Sequence, residues 1–198
     1  MPYLTKDQFA AMVRDSSHRE IVEQYILQGV PFAFRNAPSD FALLQSELAA
    51  GLKLEEADIT VIGSGRTGFS LDPEKFGAPY GPHSDLDVAV VNGALFDKCW
   101  LKLCALTRPS LNYDARTREI ISEHRQSNLF YGFLKMSHLA SVLSPEGYDW
   151  NRAFKGLSRQ PRLAGLDIKG RLYRTWDHLR LHQLYSLDSI SRVIGRRT

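Results

Sequence analysis

Cysteine is nearly absent. The 198 residues include two, Cys99 and Cys104, five apart in an apolar stretch whose helical spacing turns them to different faces. That excludes a disulfide framework of the small secreted kind and points to a reduced compartment. No His/Cys cluster has the spacing of a zinc site. No apolar run approaches the ~20 residues of a membrane span, and MPYLTKDQFAAMV (1–13) lacks the apolar core of a signal peptide. Internal repeats and low-complexity tracts are missing as well. The expectation is a soluble protein of the cytoplasm with no membrane partner.

An overall excess of one charge sign is missing too. The net charge is +3, but it is unevenly spread. From residue 151 onward eleven Lys/Arg stand against three Asp. The last quarter is therefore basic and the rest slightly acidic, which fits a surface for an anionic partner or a solvated basic face. Apolar residues at 43% and charged residues at 24% are an ordinary globular mix, sufficient for a real core. The length suits one compact domain, or a small domain with an appended helical part.

Local patterns indicate many helices and few strands. Thr5 caps a helix over 5–15. Ser17 and Glu20 form a capping box for a second helix, with Ile21, Val22, Tyr25 and Ile26 as its apolar face and Gly29 as its end. VPFAF (30–34) reads as an extended piece. Ser39 caps a helix that ends near Gly51. DITVIG (58–63) and DLDVAVV (85–91) read as strands. The apolar helix ALFDKCWLKLCAL follows and is closed by Pro109. Residues 113–124 and 125–143 look helical and stop at SPEG (144–147). LDIKGRLYR (166–174) alternates as a strand, with Leu166, Ile168, Gly170 and Leu172 on one face. A long C-terminal helix follows, with Leu179, Leu181, Leu184, Leu187 and Ile190 as its core face.

VIGSGRTGFS (61–70) matches G-x-G-x-x-G, the dinucleotide-binding fingerprint. That site needs a helix after the glycines to hold the pyrophosphate. Here Pro73, Pro79 and Pro82 arrive first, with Gly77 and Gly81 between them, and no long helix fits. The acidic residue should close the second strand, yet Asp85 and Asp87 open it. The fingerprint's context fails.

Asp85 and Asp87 offer a different chemistry. Two residues apart on a strand, both carboxylates project to one side while Leu86 points to the core. Two carboxylates that close repel unless a cation joins them. Oxygen ligands favour Mg²⁺, which also takes water and substrate phosphate. Two such ions can clamp an in-line phosphoryl or nucleotidyl transfer. Asp-x-Asp standing alone is also the mouth of an ordinary strand with two solvated acids.

VIGSGRTGFS…HSDLDVAVV taken together resembles the nucleotidyltransferase superfamily of the polymerase β type. The shared pattern is a hydrophobic residue, Gly-Ser, a spacer, then Asp-x-Asp flanked by hydrophobics. The similarity covers about residues 58–95. It is greatest to small bacterial members, through Gly63, Ser64, Arg66, Gly68, Ser84, Asp85 and Asp87. The resemblance implies an α+β fold: a small mixed sheet flanked by N-terminal helices (1–57) and a helical C-terminal part, with the core over 58–198. It implies a nucleoside triphosphate held by Gly63, Ser64, Arg66 and Ser84, and two Mg²⁺ ions on Asp85 and Asp87. Two departures stand out. The spacer from Ser64 to Asp85 is long, through the Pro/Gly-rich segment 71–82. A third carboxylate is also required on a later strand, where it can take the acceptor's proton. Asp167 is the candidate, with Asp149 and Asp114 as further options.

Beside these, GRLYRTW (170–176) puts Arg171 and Tyr173 on one strand face, a pairing that can stack a base and hold phosphate or simply form a strand–helix junction over a core Trp176. His83 borders the Asp pair, as a phosphate contact or a plain loop residue. The expected activity is Mg²⁺-dependent transfer of a nucleoside monophosphate to a hydroxyl of a protein, an RNA or a nucleotide. The basic C-terminal part is the candidate acceptor surface. The alternatives are an inactive nucleotide-binding or sensing module of the same fold and a basic nucleic-acid-binding accessory protein.

Overall fold

A computed structural model describes residues 3–106, 108 and 112–195 of the chain. The fold is α+β, with nine helices and a four-stranded mixed sheet among the described residues. Strands β1 (Ile59–Val61), β2 (Leu86–Val91), β3 (Phe133–Leu134) and β4 (Ile168–Tyr173) are ordered β1-β2-β4-β3. β2 runs antiparallel to β1 and parallel to β4, and β3 is antiparallel to β4.

The apolar alternation of the strands separates two cores. Leu86, Val88, Val90 and Leu172 face one way. They pack with α3 (Pro38–Leu52), α5 (Gly93–Leu106) and α8 (Glu146–Leu157), through Leu44, Leu48, Leu103 and Trp150. Ala89, Val91 and Tyr173 face the other way, against Leu179 of α9 (Trp176–Gly195). The rest of α9 packs on α1 (Lys6–Asp15) and α2 (His18–Ile21) by way of Leu187, Ile190, Phe9 and Ile21. An ion pair from Arg180 to Glu23 at 2.6 Å and a hydrogen bond between His18 Nδ1 and Asp188 Oδ1 at 2.7 Å also tie α9 to the N-terminal helices.

Several expectations match the structure. Thr5 caps α1 with a reciprocal bond to Gln8. Cys99 is buried and Cys104 exposed, so they do face different sides. Others change. Ser17 stands at the N-cap of α2 without a side-chain bond, and a π-helical turn, Val22–Ile26, continues that helix. VPFAF is not extended throughout: Phe32–Phe34 form a 3₁₀ turn. The 113–143 run is broken. α6 (Ala115–Glu123) passes into a π turn, His124–Asn128; β3 and the short α7 (Met136–Leu139) follow. Phe133 and Leu134 leave the helical pattern because they pair with Tyr173 and Leu172 at the edge of the sheet. SPEG does not end a helix; α8 begins inside it, with buried Glu146 held by Lys98 and Lys102. Pro109 lies outside the described residues.

One contact sets how closely α8 can lie on the sheet. Trp150 and Phe154 stack at 4.7 Å. A Cβ on Gly170 would stand 2.2 Å from Phe154 Cζ and 2.6 Å from Trp150 Cζ2. Gly170→Ala therefore overpacks this contact, costing about 1–3 kcal/mol. The expected readout is a Tm lower by several degrees, measured by thermal melting.

Candidate functional site

The parallel register pairs Asp87 with Lys169 and Ala89 with Arg171. Odd-numbered side chains of β2 and β4 therefore share the face that α9 covers. At the mouth of that face lies a cleft of about 760 Å³, lined by Gly63, Ser64, Ser84, Asp85, Asp87 and Arg171, among others. Asp85 and Asp87 stand on one side of the strand, with Leu86 fully buried behind them. The Ser70–Pro79 loop forms one wall and α9 the other.

Gly63 fits this place for two reasons. Its φ is +65°, a conformation open to glycine at little cost. A Cβ there would also sit 3.0 Å from Asp87 Oδ2. The backbone after β1 thus passes directly against the carboxylate, and Ile62 N–H donates to Asp87 O at 2.9 Å. A single helical turn, α4 (Ser64–Thr67), follows. It is far shorter than a dinucleotide-binding helix. Ser84 Oγ accepts from Gly81 N–H at 3.1 Å, closing the turn before β2.

The segment 71–82 is built into the structure. Ser70 N–H donates to Ala78 O at 2.8 Å, and Tyr80 N–H donates to Gly68 O at 2.9 Å. Phe69 and Leu71 are buried beside Phe9. The loop carries Lys75 and His83 is beyond it; both line the cleft.

Burial pushes the Asp87 carboxyl above the ordinary aspartate range; Arg171 opposes that shift and Asp85 adds to it. Asp85 goes the other way. A hydrogen bond from Lys169 is the main cause of its lowering, with slight burial opposing and Lys75 assisting. Lys169 Nζ lies 2.6 Å from Asp85 Oδ2 and 3.6 Å from Asp167 Oδ2. The cation that two neighbouring carboxylates call for is thus partly supplied by the chain itself.

Behind the charged groups, burial holds the Tyr173 hydroxyl up at about 12, against the effect of Arg171. It holds His182 down at about 4, with Arg171 acting in the same direction. Tyr173 Oη and His182 Nδ1 are 2.8 Å apart. That contact engages Nδ1, so Nε2 is the ring nitrogen left for a further partner.

The site differs from expectation at several residues. Arg66 is turned away from the cleft. It is 4% exposed, and it donates to Gly29 O at 2.7 Å and Tyr25 O at 3.3 Å. The single turn of α4 carries it to the far side, where the carbonyls of Tyr25 and Gly29 capture the guanidinium. Asp167 stands next to Asp85, with its backbone O accepting from Leu86 N–H at 2.8 Å. Its side chain is 68% exposed and shares Lys169. Asp114 caps α6 and Asp149 pairs with Arg152; neither lines the cleft. Among the described residues, no three His, Cys, Asp or Glu side chains gather as a metal-holding group. Tyr173 is core, Trp176 is half-buried, and Arg171 alone of the GRLYR run faces the cleft. Lys75, Lys169, His182 and Gln183 were not singled out from the sequence. The alternation of β4 carries a signal for Lys169, since Asp167, Lys169, Arg171 and Tyr173 occupy the face opposite to Ile168 and Leu172.

No protein-family model, curated protein or solved structure matches the chain. The donor set itself fits a divalent cation. Magnesium is commonly held by one or two protein carboxylates and completed by phosphate and water. Asp85 and Asp87 meet that need once Lys169 releases Asp85.

Because His182 is kept neutral, it adds stability that is fully present above pH 6.5. That contribution declines as pH falls from 6.5 to about 4, where the unfolded state binds the proton and the folded state does not. Urea unfolding at pH 7.0, 5.5 and 4.5 should show the wild type losing stability relative to His182→Gln across this window.

Proposed function

We propose that the chain is a metal-dependent nucleotidyltransferase of the polymerase β-like fold. The observation that carries this reading is the Gly63 turn. It brings main chain against Asp87 in a cleft where Asp85, Asp87, Lys75 and Arg171 converge. Glycine and Ser64 suit the approach of a triphosphate. Arg171 and Lys75 supply cations for its oxygens. Asp85 and Asp87 would hold Mg²⁺, which when bound neutralises the phosphate charge.

In the reaction, an acceptor hydroxyl attacks the α-phosphorus. The α–β phosphoanhydride bond breaks and pyrophosphate leaves. Asp167, exposed beside Asp85 and outside the cleft lining, is the carboxylate proposed to take the hydroxyl proton. The basic C-terminal part offers a surface for an anionic acceptor.

Lys169 supports a second reading. Its hold on Asp85 at 2.6 Å suits a module that binds nucleotide without transferring it. The two readings part in one experiment. The protein is incubated with Mg²⁺, a cell lysate and each NTP labelled at the α-phosphate. Pyrophosphate release with a labelled acceptor is expected, and Asp85→Ala and Asp87→Ala should each abolish both. Turnover that survives either change rules the enzyme reading out. Binding of nucleotide with no release of pyrophosphate supports the sensing module. Salt-steep binding of nucleic acid that needs no nucleotide would instead mark an accessory protein.

A further inference from the structure

Helix α9 has a buried stripe at Leu179, Gln183, Leu187, Ile190 and Ile194. Four of these five are aliphatic, as the core face of an amphipathic helix requires. Gln183 is 4% exposed, and its carboxamide makes no hydrogen bond among the described residues. It is not sealed in, because it lines the same cleft as Asp87 and Arg171. Its polar atoms are not closed off from solvent, so water or a ligand in the cleft can complete them.

His182, the preceding residue, is half-buried. Its Nδ1 is engaged by Tyr173 at 2.8 Å, so Nε2 is the ring nitrogen left for a ligand. It too lines the cleft. The sheet side and the helix side of the cleft therefore differ in chemistry. The sheet wall is charged, through Asp85, Asp87 and Arg171. The helix wall is uncharged, through Gln183, His182, Ser186 and the half-exposed ring of Tyr185. Tyr185 is braced edge-on by Tyr131 at 5.8 Å. With Mg²⁺ on Asp85 and Asp87 as proposed above, a ligand that matches both walls has an anionic end and a flat neutral end. The edge of that neutral end must offer a donor beside an acceptor. A nucleobase has that edge, and a carboxamide is its matching reader.

We propose that Gln183 reads the base of the nucleotide whose phosphates lie against the sheet wall, with His182 Nε2 as a second polar contact and Tyr185 as the ring that stacks on it. This rests on the nucleotide reading of the cleft. The test is equilibrium binding of the full chain, with Mg²⁺, to non-hydrolysable analogues of the four NTPs and to inorganic tripolyphosphate. The wild type should bind its preferred base about tenfold or more tightly than tripolyphosphate, the discrimination expected of one good bidentate contact. Gln183→Leu continues the aliphatic stripe. It should hold tripolyphosphate as the wild type does and lose the base preference. Gln183→Met, unbranched like glutamine, should behave the same way if leucine disturbs the packing. Base discrimination retained in both variants overturns the proposal and leaves the nucleotide reading in place. A wild type that binds neither nucleotide nor tripolyphosphate removes the nucleotide reading as well.

Discussion

The parallel pairing of β2 with β4 determines which charges can meet. Its register places Asp87 beside Lys169 and Ala89 beside Arg171, and Leu86 N–H on Asp167 O extends it to the mouth of the cleft. A slip of one residue would move the β4 set to the opposite face. Leu172 and Ile168 would then leave the core while Lys169 and Arg171 entered it. The register is therefore enforced by the apolar neighbours. The charged residues are placed where they are by packing in which they take no part.

Helix α9 has a comparable double role. Leu187, Ile190 and Ile194 join the N-terminal helices to the rest of the fold, while His182, Gln183 and Ser186 line the cleft. A wall on a long helix packed on two sides is positioned more firmly than a loop could be. The facing Ser70–Pro79 wall is a loop, yet Phe69 and Leu71 are set in the same core as Leu187. Both walls are thus anchored to one apolar cluster.

What the sequence made legible follows from range. Strands β1, β2 and β4 and helices α1, α3 and α9 have strong local periods, and they lie where those periods indicate. The common face of Asp85 and Asp87 follows from alternation alone. Strand β3 did not show, because Phe133–Leu134 is extended only by virtue of a partner forty residues on. The direction of Arg66 was hidden for a similar reason: its partners, Tyr25 and Gly29, are some forty residues earlier. Leu181 fits the apolar period of α9, yet it is 49% exposed. The buried position near it belongs to Gln183, which an apolar count passes over. Lys169 sat in plain view on the second face of a recognised strand. Only the pairing with β2 shows which residue it meets.

Lys169 also changes how the cleft would fill. An ammonium group already neutralises Asp85, so a metal ion would arrive as a replacement for a resident counter-ion. The displaced ammonium would then be left without its partner at the edge of the site we propose for a nucleotide, where the phosphate oxygens are its next available acceptors. Ion and nucleotide would each remove an obstacle to the other, and by thermodynamic reciprocity each would raise the other's affinity by the same factor. A cleft of this kind binds its two ligands jointly or weakly, with one lysine as the coupling between them.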